Sequence, residues 1–142
     1  MKIYFACSIK GEPGGLEEKL AVVNALKDLG HIVLSEQFTE ANPNLKDGVT
    51  LGPTEVYERD MRWVEEADAV VADVTRISIG VGYEMGWAVS RGKKVLALCR
   101  ADREENLTWM VKGNNEPNFA IRYWKDVDQL PGILETELGR AE

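Results

Sequence analysis

The chain has little of what several large protein classes require. Only two cysteines, Cys7 and Cys99, occur in its 142 residues, in separate apolar segments, so a disulfide framework is not expected. A single histidine, His31, offers no evident partner for a cysteine nucleophile, and with unclustered carboxylates it predicts no metal site and no cofactor. No apolar run approaches the roughly 18 residues of a membrane span. Positive charge is also short: a formal net charge of −7 argues against a general nucleic-acid surface, which needs clustered Lys and Arg. A small anion held by a few local donors stays compatible with that charge. The start of the chain runs straight into an apolar segment without a signal-peptide layout. No internal repeat or second domain is visible, which predicts one cytoplasmic domain spanning residues 1–142.

What is present alternates between strand-like and helix-like segments. Lys2 to Cys7 reads as a buried strand, followed by turn chemistry from Ser8 to Gly15. Leu16, Leu20, Val23 and Leu26 recur at helical spacing, with Gly30 as a C-terminal cap and a second strand from His31 to Leu34. Thr39 to Pro53 is a long polar connection that reads either as a lid or as a loose connection, and Thr54 is the expected N-cap of a helix running to about Glu66. A strand from Ala69 to Val74 leads into a Gly-rich helix from Gly80 to Arg91. Lys94 to Cys99 is a fourth strand, Glu104 to Lys112 a short helix, Phe119 to Tyr123 a fifth strand and Val127 to Leu138 a last helix. This alternation predicts an α/β, Rossmann/flavodoxin-like domain. Its five-stranded parallel sheet, in order 2-1-3-4-5, would carry helices on both faces. In that order the first and third strands are neighbours at the point where the winding reverses, and ligands bind outside their carboxyl ends. The loops meeting there are Ser8 to Gly15 and Thr75 to Gly82.

Glu84 is the only charged residue between Ile77 and Ser90, and its helical neighbours Gly80, Val81, Trp87 and Ala88 are all apolar. A carboxylate on such a face is costly to bury without a use. Asp60 repeats the pattern, with Val56, Tyr57, Trp63 and Val64 around it, while Glu58, Arg59, Arg62 and Glu65 read as a solvated face. Each carboxylate alone also fits a structural role, as a paired helix side chain or a favourable charge at a helix start. Two of them beside the switch point favour an active site. Ser8, Lys10 and Gly11 on one loop, and Ser78 and Gly80 on the other, are the small donors a phosphate or carboxylate needs. The pattern is neither a Walker loop nor the dinucleotide fingerprint. Tyr4 lies mid-strand facing inward, and Trp87, one turn from Glu84, is the tryptophan best placed to meet a ligand.

These blocks resemble the nucleoside 2-deoxyribosyltransferase superfamily, in particular its 2'-deoxynucleoside 5'-monophosphate N-glycosidases (the Rcl-like branch). The residues that carry the likeness are Tyr4-Phe5-Ala6-Cys7-Ser8-Ile9-Lys10-Gly11, Tyr57-Glu58-Arg59-Asp60, Ala67 to Thr75, and Ser78-Ile79-Gly80-Val81-Gly82-Tyr83-Glu84. The resemblance implies a homodimer with composite active sites and cleavage of the N-glycosidic bond of deoxynucleotides. It implies that Glu84 attacks C1' of the sugar, that Asp60 binds the sugar hydroxyl and assists proton transfer, and that Tyr4 orients Glu84 or the sugar. Ser8, Ile9, Lys10, Gly11, Ser78 and Gly80 would hold the 5'-phosphate, with Thr108 and Met110 completing the neighbouring subunit's site. Lys10 stands where relatives carry Arg, replacing a bidentate contact by a point charge. Two other readings stay open: a transferase exchanging bases on unphosphorylated deoxynucleosides, and a non-catalytic nucleotide-binding module.

Overall fold

A computed structural model describes residues 1–11 and 14–142; Glu12 and Pro13 of the expected first turn lie outside the described residues. Five strands form one parallel sheet: β1 (Lys2–Ala6), β2 (Ile32–Val33), β5 (Ala69–Asp73), β6 (Lys94–Arg100) and β7 (Phe119–Trp124). Two more strands, β3 (Leu45–Lys46) and β4 (Val49–Thr50), pair with each other as an antiparallel hairpin. The sheet order is therefore β2-β1-β5-β6-β7 rather than the numbering 2-1-3-4-5 expected from sequence. The difference arises because the connection expected to be irregular contributes its own hairpin. Asp47 and Gly48 turn that hairpin with positive φ angles of 51° and 77°, a polar pair suited to a tight reversal.

The buried strands are nearly continuous apolar runs, as a sheet covered on both faces requires. Helix α1 (Leu16–Asp28) packs with α5 (Leu130–Leu138), while α2 (Pro53–Glu66) packs with α3 (Ile79–Ser90). The short α4 (Trp109–Lys112) follows a 3-10 turn at Ala101–Asn106, replacing the single helix expected from Glu104 to Lys112. The apolar stripe of α1 also differs from expectation. Leu16 and Leu20 are exposed, whereas Lys19 is buried with Val22, Val23 and Leu26 because its Nζ donates to the Ser8 carbonyl 2.6 Å away. Gly30 follows Leu29, the C-cap of α1, with φ of 85°, the left-handed conformation that ends a helix without strain in glycine.

Helix α2 begins two residues earlier than Thr54 implied. Gly52 is its N-cap, Pro53 takes the first helical position, and the Gly52 N–H donates to Glu55 Oε2 at 2.8 Å. Proline suits that position because its missing N–H has no partner to lose. At the centre of the sheet β1 runs beside β5, in register from Ile3 opposite Ala69 to Ala6 opposite Ala72. The loops leaving these two strands therefore emerge side by side at the carboxyl edge, where α2 and α3 also meet.

Candidate active site

A cavity of about 960 Å³ opens at that edge. Its walls come from the loop after β1, the loop before α3, the facing surfaces of α2 and α3, and the segment around the β3–β4 hairpin. Glu84 of α3 and Asp60 of α2 both line it, as do Ile9, Lys10, Gly11, Ser78 and Gly80. Tyr4 and Ser8 are buried immediately behind it. The structure thus brings most of the expected site residues together around one space.

Helix geometry places the carboxylates. Ser78 caps α3 by accepting the Val81 N–H at 3.3 Å, and the start of the helix from Ser78 to Val81 lines the cavity. Glu84 lies further along α3, inside the apolar interior of the site. Burial first, and the Asp60 charge second, push its carboxyl up to about 8 from 4.5. Tyr4 and Arg59 pull in the opposite direction. Burial also raises the Asp60 carboxyl, against the opposing pull of Arg59. With Glu84 raised to about 8 by burial and by the Asp60 charge, the pair holds one proton near neutral pH, on Glu84.

Tyr4 is completely buried under Phe38 and Trp63, whose rings stand 6.0 and 6.5 Å from its own. Its hydroxyl makes no hydrogen bond of normal geometry among the described residues, yet lies within electrostatic reach of Glu84. A buried hydroxyl without a partner is costly, and the carboxylate beside it is the acceptor it can recruit. Cys7 also lines the cavity, but burial pushes its thiol up to about 12, which removes thiolate nucleophilicity.

Gly11 sits where the two switch-point loops touch. A Cβ at this position would come within 2.5 Å of the Ile77 carbonyl oxygen and 2.8 Å of Ser8 Oγ. Only glycine lets the loops approach this closely, and the contact seats the donors of both loops on one side of the cavity.

Other expectations are corrected. Arg59 does not belong to a solvated face: it is buried and pairs with Asp60. Trp87 does not face the cavity; its indole N–H donates to Glu65 at 2.8 Å and Arg91 covers its ring. Thr108 and Met110, expected to serve the neighbouring subunit's site rather than this one, lie outside this subunit's main cavity. Thr108 caps α4, accepting the Met110 N–H at 3.3 Å, and lines a second cavity of about 370 Å³ that shares Ile77, Ser78, Ile79 and Val81 with the first. The connection from Thr39 to Pro53, which the sequence left open as a lid or a loose connection, lines the cavity through Asn42, Asn44, Thr50 and Leu51; its hairpin carries no periodic signal. Lys19 was missed, since a lysine in an amphipathic helix reads as solvent-facing.

No group of three or more His, Cys, Asp or Glu side chains able to hold a metal ion occurs among the described residues. Nor is any described helix long and apolar enough to cross a membrane.

Comparison with known proteins converges on the same architecture. Residues 3–119 match the family model described as nucleoside 2-deoxyribosyltransferase. A Thermofilum pendens protein named "Putative 2'-deoxynucleoside 5'-phosphate N-hydrolase 1" is 36% identical, over 97% of this chain and 95% of its own length. A Tetraodon nigroviridis 5-hydroxymethyl-dUMP N-hydrolase is 34% identical, over 95% of both chains. Among solved structures, a Clostridium botulinum CMP N-glycosidase superposes with a TM-score of 0.69 over 97% of this chain and 100% of that one. It is 21% identical, a likeness that concerns the fold alone. The order of the sheet, the two loops at its carboxyl edge and the matched sequence blocks agree: this chain belongs to the nucleoside 2-deoxyribosyltransferase family.

Proposed function

We propose that the protein hydrolyses the N-glycosidic bond of 2'-deoxynucleoside 5'-monophosphates, releasing the free base and 2-deoxyribose 5-phosphate. The observation that carries this reading is the shared cavity. Two carboxylates from facing helices, Glu84 and Asp60, line it together with candidate anion donors on the loops at Ile9–Gly11 and Ser78–Gly80. The hydrolase names of the relatives described above support the same substrate class.

In the proposed reaction the Glu84 carboxylate attacks C1' as the bond from C1' to the base nitrogen breaks. The departing base takes a proton from Asp60, leaving a glycosyl ester on Glu84. Water then attacks C1', its proton passes to Asp60, and the ester opens to restore Glu84. A sugar without a 2'-hydroxyl forms the oxocarbenium-like transition state more readily, so a single carboxylate nearby is effective. The pair's single proton, which rests on Glu84, passes to Asp60 in the reactive arrangement, leaving Glu84 ionised and Asp60 protonated. Tyr4, with no other acceptor among the described residues, steadies the Glu84 carboxylate. Lys10, the backbone of Ile9 and Gly11, Ser8, Ser78 and the first turn of α3 bind the 5'-phosphate.

The working unit in this proposal is a homodimer. Ile79, which lines the second cavity, and Trp109 and Met110, which follow its lining residue Thr108 in sequence, are 92%, 88% and 83% exposed, large apolar side chains that an isolated subunit would leave in water. A two-fold contact through it would carry Thr108 and Met110 toward the partner's phosphate loop.

A panel of ribo- and deoxynucleoside 5'-monophosphates and the matching nucleosides, read by base release with and without an acceptor base, tests the proposal. Release from deoxynucleoside monophosphates without an acceptor is the expected result. Turnover of unphosphorylated nucleosides alone, only with an acceptor base, would instead identify a transferase. Retention of function by Glu84→Gln would point to a non-catalytic module.

A further inference from the structure

Arg59 takes no part in the steps above, and its setting is unusual for a helix arginine. It is only 8% exposed, and a guanidinium withdrawn from water is costly unless its N–H groups are engaged. All three of its nitrogens are. Nε donates to Asp60 Oδ1 at 2.8 Å, Nη1 to the Pro43 carbonyl at 3.0 Å and Nη2 to Asn44 Oδ1 at 3.0 Å. The guanidinium carbon lies 5.5 Å from the Phe38 ring centre and 5.0 Å from that of Trp63, the two aromatic rings that also enclose Tyr4.

We infer that Arg59 is a positioning residue that clamps the Asp60 carboxylate to the Pro43–Asn44 segment, holding the proton-transferring group and that wall of the cavity as one unit. This rests on the reading of Asp60 given above.

Adjacent residues on a helix do not ordinarily face each other, so the bond between Arg59 and Asp60 forms only because both side chains turn toward the cavity. Arg59 has donors and no acceptor. Asp60 Oδ1 is therefore held as an acceptor, and a proton on this carboxyl resides on Oδ2. The clamp thereby selects which oxygen of Asp60 meets the departing base. The same logic fixes Asn44: its amide oxygen faces Arg59, leaving its NH₂ group as donor. The rest of the arginine fork reaches the connection from α1 to α2, so displacement of that wall would withdraw the bonds that aim Asp60. Three planar donors in a fixed fork make this linkage possible; the single ammonium of lysine reaches Asp60 or the wall but does not span both with the same geometry.

The test is a double-mutant cycle joined to two measurements that need no substrate. In base-release assays Arg59→Gln is expected to lower kcat about 30- to 100-fold, the range of a misaligned general acid, with KM changing less than about threefold. In an Asp60→Asn background the same substitution should cost less than about threefold, because its effect passes through Asp60. Arg59→Lys should fall between. A full multiplicative loss in the double variant overturns the inference. Without ligand, NMR titration of the Asp60 carboxyl, which is faced by Tyr4 from β1 and Glu84 from α3, should move upward in Arg59→Gln. Amide exchange across residues 42–46 should quicken in Arg59→Gln and in Asn44→Ala. An unmoved Asp60 titration, or unchanged exchange in a folded Arg59→Gln or Arg59→Met protein, also overturns it. Failure of the wild type to release any base would count against the proposed reaction while leaving these two ligand-free readouts to decide the clamp.

Discussion

Replacing Glu84 by Gln should make the protein more stable while abolishing its chemistry, and the size of the gain should depend on pH. The Glu84 carboxyl is held up to about 8 in the folded protein, mainly by burial and then by the Asp60 charge. In the unfolded chain it returns to its ordinary value of 4.5. Between those two values the folded state binds more protons than the unfolded state, so stability falls as pH rises through that window. Each pH unit costs at most about 1.4 kcal/mol, which amounts to about 3 kcal/mol at pH 7 and about 1 kcal/mol at pH 5. Glutamine keeps the shape and polarity of the neutral acid without this linkage. Allowing half the gain for relaxation around Asp60, a chain of this length should melt about 5 °C higher at pH 7 and within about 2 °C of wild type at pH 5. Thermal denaturation followed by circular dichroism at the two pH values measures both. A Glu84→Gln protein that melts no higher than wild type at pH 7, or whose gain is the same at pH 5, would refute the reasoning.

The carboxylate pair also predicts a pH profile. If one shared proton serves both roles, kcat/KM should fall as pH rises above about 8, where the last proton leaves the pair; a rate that climbs through that region to a plateau would exclude the shared-proton cycle. Lys10→Ala should raise KM for the monophosphate about tenfold while barely affecting any nucleoside reaction, as expected for loss of one charged contact to phosphate; steady-state kinetics on both substrates decide it. Gly11→Ala should raise the same KM by about tenfold or more, because the added Cβ meets the Ile77 carbonyl and forces the two loops apart; an unaffected KM would mean the approach of these loops is not needed. Ile79→Asp should shift sedimentation from dimer to monomer with loss of turnover, whereas a wild-type monomer at micromolar concentration would remove the composite site.

Much of the site was legible because its signals are local. Glu84 stands out through the apolar residues on its own helix face, and Asp60 does so through Val56, Tyr57, Trp63 and Val64. The glycine-rich entry to α3, with Ser78 before it, likewise announces a capped helix start. Arg59 was illegible by the same method. Its neighbours Glu58 and Arg62 face water, and nothing nearby in sequence reveals that Phe38, Pro43 and Asn44 would enclose it. The hairpin within the connection from Thr39 to Pro53 was equally hidden, since a two-residue strand pairing has no periodicity to detect.

Alternating apolar strands and amphipathic helices by themselves determined an α/β sheet, the central pairing of the first strand with the one at Ala69, and two inward carboxylates at its carboxyl edge. Those features depend on side-chain periods of two and 3.6 and on right-handed crossovers, all of which are written along the chain. Only tertiary structure decided the environment of the carboxylates. The burial that raises Glu84, the Tyr4 hydroxyl set beside it and the Arg59 fork that fixes Asp60 Oδ1 all come from segments distant in sequence. Proton affinity depends on what surrounds a group in space, and that surrounding exists only once the chain has folded.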